Sequence, residues 1–212
     1  MELLLYDMKE LRGMKKMNKI KLIAIIGRSA SGKDYLFKNT IELHSYLNPI
    51  IHWTTRPKRN NEIDKKDYYF ISEEEFLKKQ EKKEFFSITQ FKDWMYGLDI
   101  NSFSKQKINI GIFNPIEIQY LISKYKDLFE IEIIETYADK RTRYERSLNR
   151  LSTIPFDYEG LAEICRRNLS DEEDFNKIND VERYQLETIT PFSSYFNDGF
   201  MSAIIYRFKE DD

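Results

Sequence analysis

Residues 27–34 read Gly-Arg-Ser-Ala-Ser-Gly-Lys-Asp, the densest run of potential chemistry in the sequence. Gly27 and Gly32 bracket Arg28, Ser29, Ala30 and Ser31 in a GxxxxGK pattern, which lets backbone N–H groups fold around a phosphate. The helix that follows adds the positive end of its dipole. Lys33 supplies a point charge for the outer phosphates. The competing reading is a glycine turn that binds nothing, and the spacing, Lys33 and the flanking pattern speak against it. Position 34 departs from the pattern, because a Ser or Thr hydroxyl ordinarily sits there to hold Mg²⁺. Asp34 is also a hard-cation ligand and reads as the metal ligand, with helix capping as the alternative.

A second cluster occupies residues 52–70, HWTTRPKRNNEIDKKDYYF. Arg56 and Arg59 flank Pro57, and Tyr68 follows nine residues after Arg59. Guanidinium forks grip phosphate oxygens in pairs, and a phenol adds a further donor. Taken alone, the segment also describes a solvated charged loop. His52 is either a contact to a base or sugar or a partly buried histidine at a strand end, and His44 reads as helix surface.

The elements that must hold these groups follow from periodicity. Lys19 to Ile26 (KIKLIAII) is apolar and β-branched and reads as a buried parallel strand. A helix follows from Lys33 to about His44, then a short strand from Pro49 to Thr54. Ser72 with Glu75 forms a capping box ahead of Phe76 and Leu77. Phe85 to Phe91 alternates as a half-exposed strand, Lys107 to Phe113 is a strand, and Pro115 suits the first turn of the next helix. Leu128 to Thr136 is a strand, Asp139 to Arg150 an Arg-rich helix, and Tyr158 to Phe175 a longer one. Ser193 to Phe196 reads as a last strand with a terminal helix after Asp198. Residues 1–18 form an N-terminal extension, of which 1–16 are a frayed helix or an upstream-start artefact. Strands alternating with helices imply an α/β fold, an open parallel sheet with ligands at the strands' carboxyl ends.

Composition narrows the partners. The 34 basic and 36 acidic side chains leave a net charge of −2, so there is no bulk field for nucleic acid or an anionic membrane. The single cysteine, Cys165, excludes an internal disulfide and a cysteine zinc site. The longest aliphatic run, Leu22 to Ile26, is far too short to span a bilayer. These features lead to an expectation of a cytoplasmic protein with neither nucleic acid nor membrane as partner.

The glycine loop, the TTRPKR segment, DYYF and Trp94-Met95-Tyr96-Gly97 together resemble the guanylate kinase family, over residues 19–209. The resemblance implies a P-loop NTPase parallel sheet flanked by helices, with an NMP-binding subdomain and a helical lid. It assigns a core to about 19–51 and 107–209, an acceptor-binding subdomain to about 52–100, and the lid to about 146–175. It implies small-molecule nucleotides as partners of a monomer or homodimer, Mg²⁺, ATP as phosphoryl donor, and Gly27 to Asp34 as the ATP-binding loop. Arg56, Arg59, Tyr68 and Tyr96 fall on the family's acceptor-phosphate residues. Arg146 and Arg150, one helical turn apart, together with Arg167 fall on its lid arginines, so that Lys33, Arg146, Arg150 and Arg167 form the catalytic set. Asn197 falls near the adenine site. Arg141, Arg143 and Arg166 read as surface charge.

The same resemblance fails at the base. The family reads guanine with a glutamate and a small hydroxyl residue, whereas this chain has Ser87 and Leu98 at those positions. His52 stands where the family has serine, and Asn114 where it has acids at a strand end. The expected function is therefore ATP-dependent phosphoryl transfer to a nucleoside monophosphate, guanylate kinase-like, with altered base recognition through His52, Ser87 and Leu98. Two alternatives follow it. Asp34, the missing acids and Asn197-Asp198-Gly199 resemble ribose 1,5-bisphosphate phosphokinases, and guanylate kinase-like domains also occur as non-catalytic binding modules.

Overall fold

The computed structural model describes residues 3–5, 19–59, 62–91, 93–151, 158–178, 181–188 and 191–210. Two five-stranded sheets organise it. The first contains β2 (Ile20–Gly27), β3 (Asn48–Ile50), β8 (Asn109–Ile112), β9 (Phe129–Tyr137) and β10 (Tyr184–Glu187), in the order β10-β9-β2-β8-β3. Every pair in it is parallel. Alternate residues of β2 feed opposite faces, as the two-residue period requires. Leu22, Ala24 and Ile26 pack with Ile118 and Leu121 of α3 (Pro115–Tyr125), beside Phe175 of α5 (Tyr158–Asn176). Ile23 and Ile25 pack with Leu36 and Phe37 of α1 (Lys33–Leu43) and with Met201, Ile204 and Phe208 of α6 (Pro191–Glu210). Coverage on both faces explains why β2 is apolar without a break from Leu22 to Ile26.

The second sheet has the order β1-β6-β7-β4-β5, from β1 (Leu3–Leu5), β4 (Trp53–Thr54), β5 (Tyr69–Phe70), β6 (Phe85–Phe91) and β7 (Trp94–Asp99). Its own small core is Phe76, from α2 (Glu73–Glu81), with Phe85 and Ile88. The Ser72–Glu75 capping box opens α2 as its sequence implies.

Four elements differ from the sequence reading. The strand over Pro49–Thr54 splits at Ile51 and His52, because β3 joins the parallel sheet and β4 the other. β6 is not half-exposed: Phe85, Phe86, Ser87, Ile88 and Thr89 are all buried. Phe86 enters the main core while Phe85 and Ile88 enter the small one, with a register irregularity between Phe85 and Ser87. Ser193–Phe196 is helical, inside α6, which Pro191 opens in the position that suits it. The last strand is instead β10, in register with Ile134–Tyr137 of β9. Leu3–Leu5 is a strand on the edge of β6 and not a helix, with Leu5 opposite Ser87; the rest of residues 1–16 lies outside the described residues.

Candidate active site

The glycine loop runs from the carboxyl end of the central strand β2 into α1. Gly32 takes φ 99°, a left-handed conformation that glycine adopts without strain, and it precedes the first turn that carries Lys33 and Asp34. Side chains from neighbouring strands pin the loop. Ser31 Oγ meets Thr136 Oγ1 at 2.7 Å, and Thr188 Oγ1 donates to Ser31 O at 2.6 Å. Arg28 donates to Glu135, a fully buried carboxylate also bound by Arg183, and lies 4.4 Å over the Phe175 ring. The Lys33 ammonium reaches back to Arg28 O at 3.3 Å.

The two helices that the resemblance assigns to a lid meet this loop directly. Arg146 of α4 (Lys140–Leu151) donates to Ala30 O and to Thr188. Asp171 of α5 accepts the Ser29 backbone N–H at 2.6 Å, so a carboxylate occupies one of the amides expected to hold phosphate. Arg143, read from sequence as surface charge, is buried, with 2% exposure. It donates to Asn168 and faces Glu172 at 3.5 Å, and its Nε has no hydrogen-bond partner among the described residues. The side chain of Arg150 lies outside the described residues. Asn197 is buried and donates to Glu187 O on β10.

The acceptor cluster assembles beside β4 and β5. Thr54 Oγ1 accepts the Arg56 N–H, and Thr54 and Thr55 tie this stretch to Met95 of β7. Arg56, buried at 5% exposure, forks onto Glu62 with bonds of 2.7 and 3.0 Å and lies over Tyr68. Tyr68 and Tyr96 meet edge to face at 6.0 Å. Gly97 sets Tyr96 in place, because Phe76 and Phe85 stack directly over it and leave no room for a Cβ. His52 lines a cavity of about 80 Å³ with Asp34, Lys38, Glu62, Tyr68 and Ile112. Lys38 of α1 closes its rim on Asp67 at 2.5 Å.

Electrostatics ties the two clusters together. Burial and the charges of Arg56 and Arg167 pull the Arg59 pKa down, against Glu62 and Tyr96. A guanidinium pressed by like charges is what an anion site looks like when no anion is counted. Burial and the nearby charge of Asp34 push the Tyr68 phenol up, so the metal candidate faces an acceptor tyrosine. Burial alone would lower the Arg56 pKa, yet its hydrogen bond and ion pair with Glu62 leave it raised. Partial burial raises and Arg56 and Arg59 more strongly lower Glu62, which stays ionised. Arg167 and Arg166 share Glu163, one turn earlier on α5.

Ser87 and Leu98 are both fully buried, and Leu98 belongs to the main core. Ser87 Oγ donates to Glu117 Oε1 at 2.6 Å. Glu117 went unnoticed in the sequence, although Asn114-Pro-Ile-Glu117 is a capping box: Asn114 accepts the Glu117 N–H, and Glu117 Oε2 accepts that of Asn114. The carboxylate missing at the end of β8 is thus supplied one helical turn later. Among the described residues no group of three His, Cys, Asp or Glu side chains is spaced to hold a metal ion. A single carboxylate at the start of α1 fits Mg²⁺, which keeps most of its ligands as water and substrate phosphate.

A parallel sheet flanked by helices, whose central strand feeds a glycine loop and helix, defines a P-loop NTPase fold. Residues 19–109 match the family model described as guanylate kinase. A guanylate kinase of Thermotoga maritima is 37% identical over 129 residues, 58% of this chain and 62% of the relative, so the chain spans about three fifths of that protein. One of Prochlorococcus marinus subsp. pastoris is 36% identical over 147 residues, 61% of this chain and 79% of the relative. In fold, the crystal structure of guanylate kinase from Anaplasma phagocytophilum is similar with a TM-score of 0.56 at 16% identity, covering 91% of this chain and 87% of that one. The chain belongs to the guanylate kinase family. Among the described residues no helix is long and apolar enough to cross a membrane.

Proposed function

We propose that this chain transfers the terminal phosphoryl group of ATP to a nucleoside monophosphate, with a base grip that differs from the family's. The observation that carries the reading is that Asp34, beside Lys33 at the glycine loop, lines one cavity with Glu62 and Tyr68 of the arginine and tyrosine cluster. Lys33 and Arg146 stand at the glycine loop; Arg56, Arg59, Tyr68 and Tyr96 stand opposite, with Arg167 close enough to Arg59 to depress its pKa.

Lys33 and the loop amides would hold the donor phosphates, and Asp34 would hold Mg²⁺, which when bound would neutralise phosphate charge. Arg56 and Arg59 would fix the acceptor phosphate in line, with Tyr68 and Tyr96 as phenolic donors. Arg146 and Arg167 would stabilise charge on the group in flight, and Arg150, next on the same helix face as Arg146, joins them in the proposal. No protein nucleophile is required, since positioning and charge supply the catalysis. The cavity of about 80 Å³ is well below the roughly 300 Å³ of small ligand pockets, and the Lys38–Asp67 ion pair is part of its lining.

A sugar phosphate acceptor is the second reading, favoured by the full burial of Ser87 and Leu98. The binding-module reading loses support from the retention of Lys33 and Arg146 at the loop. A coupled ADP-release assay with Mg-ATP separates the three. Turnover with a nucleoside monophosphate supports the proposal, turnover with ribose 1,5-bisphosphate alone supports the second, and silence with all acceptors overturns both.

A further inference from the structure

Arg28 belongs to the glycine loop, yet its guanidinium is held by the protein itself. Nη1 donates to Glu135 Oε1 at 2.9 Å, Nε lies 3.7 Å from Glu172 Oε1, and the guanidinium carbon sits 4.4 Å from the centre of the Phe175 ring. Glu135 is 1% exposed, and a carboxylate enclosed to that degree needs positive partners. Arg183 at 2.7 Å and Gln185 at 3.1 Å take its Oε2, and the arginine of the loop takes Oε1. Glu172 Oε1 is a second meeting point. Arg28 of the loop converges on it with Lys140 at 3.6 Å and Arg143 at 3.5 Å, both from α4. These distances are too long for hydrogen bonds and short enough for charge pairing. Arg143 is buried, donates to Asn168 Oδ1 at 3.1 Å, and has no partner at Nε among the described residues, so Glu172 is the countercharge it faces. Asn168, Glu172 and Phe175 are spaced i, i+4 and i+7, one face of α5. That face meets α4 and the glycine loop together. The neighbours of its residues carry the groups of the phosphate site: Arg167 precedes Asn168, and Asp171, before Glu172, holds the Ser29 N–H. Arg146, three residues after Arg143, reaches Ala30 O.

We propose that Arg28 and Glu172 are positioning residues that dock α4 and α5 on the glycine loop and so set Arg146 and Arg167 for phosphoryl transfer. The inference rests on the kinase reading and deepens it. Arg28 acts on the phosphates through other side chains and not as a ligand of ATP, and Glu135 acts by holding Arg28. Phosphoryl transfer depends on placing charge within a fraction of an ångström, so a contact that fixes two helices against the loop governs rate more than substrate affinity. Loss of the Arg28 charge frees Glu172 from the loop while leaving it paired with α4, and the two helices then loosen together.

The test compares wild type, Arg28→Met, Arg28→Lys, Glu172→Gln and the Arg28→Met/Glu172→Gln double variant, each well below its unfolding midpoint. Two readouts are taken. One is steady-state kinetics with Mg-ATP and whichever of GMP, AMP, CMP and UMP the wild type uses fastest; the other is amide hydrogen exchange. Methionine keeps an unbranched chain against Phe175 and removes the charge. Arg28→Met should lower kcat about tenfold and leave the acceptor KM within about twofold of wild type. Arg28→Lys, which keeps the charge, should lie between the two. The double variant should be within about twofold of the slower single one, because both changes break the same contact. Amides of α4 and α5 should exchange about tenfold faster in Arg28→Met, with those of β2 and β8 unchanged. A merely structural role would lower the unfolding midpoint and leave kcat of the folded protein as it was. Unchanged kcat in a folded Arg28→Met, losses that multiply in the double variant, or wild-type exchange in α4 and α5 would each overturn the inference and leave the kinase reading standing. If Arg28→Met does not fold, Arg28→Lys and Glu172→Gln decide. No turnover by the wild type on any of the nucleotides overturns the kinase reading and the catalytic half of the inference with it, and exchange alone then decides the docking.

Discussion

Glu163→Gln removes a carboxylate that Arg166 and Arg167 share on α5. Partial burial would raise the Glu163 pKa, but three hydrogen bonds from these arginines, at 2.7 to 3.0 Å, and their charge bring it from 4.5 down to about 2. Taken at face value that drop corresponds to about 3 kcal/mol. The arginine side chains are 39% and 35% exposed, so solvent screening reduces the expected contribution to about 1 kcal/mol. The sign follows from the direction. The folded-state pKa lies below the unfolded one, so the stabilisation is complete above about pH 4.5 and is lost as the pH falls toward 2. Urea unfolding of wild type and Glu163→Gln at pH 7 should show the variant less stable by about 1 kcal/mol, and at pH 4 the gap should be smaller. An equal gap at both pH values, or one that widens on acidification, would refute the ion-pair account.

Three further perturbations follow from the geometry. Arg56→Ala strands Glu62 without its fork and should cost about 1–3 kcal/mol in unfolding free energy, while raising the acceptor KM and leaving that for ATP unchanged; Arg56→Lys should fall between the two. Gly97→Ala would place a Cβ 2.7 Å from the Phe85 ring and 3.0 Å from that of Phe76, both fully buried, so a loss of about 1–3 kcal/mol is expected by chemical denaturation. Asp171→Ala releases the Ser29 N–H and removes a negative charge from the phosphate loop. ATP should bind it roughly three- to tenfold more tightly in calorimetry, about 1 kcal/mol, and weaker binding would show that Asp171 supports the loop instead of competing with phosphate.

Signals confined to a few neighbouring residues were legible in the sequence. The glycine loop, the Ser72–Glu75 box and the apolar run of β2 each declare themselves by spacing. The Arg56, Arg59, Tyr68 set does not, since its spacing also describes a solvated loop, and only the resemblance singled it out. What escaped depends on contacts between distant segments. Glu117 looked like an ordinary helix-start residue, and its second role arises only where β6 brings Ser87 against it from 30 residues away. Arg143 sits in KRTRYERSLNRL, where the apolar positions Tyr144, Leu148 and Leu151 mark a different side from the one that α5 covers. Ser87 and Leu98 were expected from the resemblance to meet the acceptor, but β6 is covered on both sides and both residues are enclosed. Ser193–Phe196 carries no turn signal of its own; Pro191 was the clue to a helix, and the strand lay earlier at Tyr184–Glu187.

The account's central claim is that the loop of Lys33 and the cluster of Arg56, Arg59, Tyr68 and Tyr96 face each other to pass a phosphoryl group. Incubation with γ-labelled ATP, Mg²⁺ and each nucleoside monophosphate, followed by separation of the products, reads that transfer directly. The account predicts label in a nucleoside diphosphate, lost in both Lys33→Ala and Arg56→Ala. Label released only as inorganic phosphate, or transfer that survives Arg56→Ala undiminished, would contradict it.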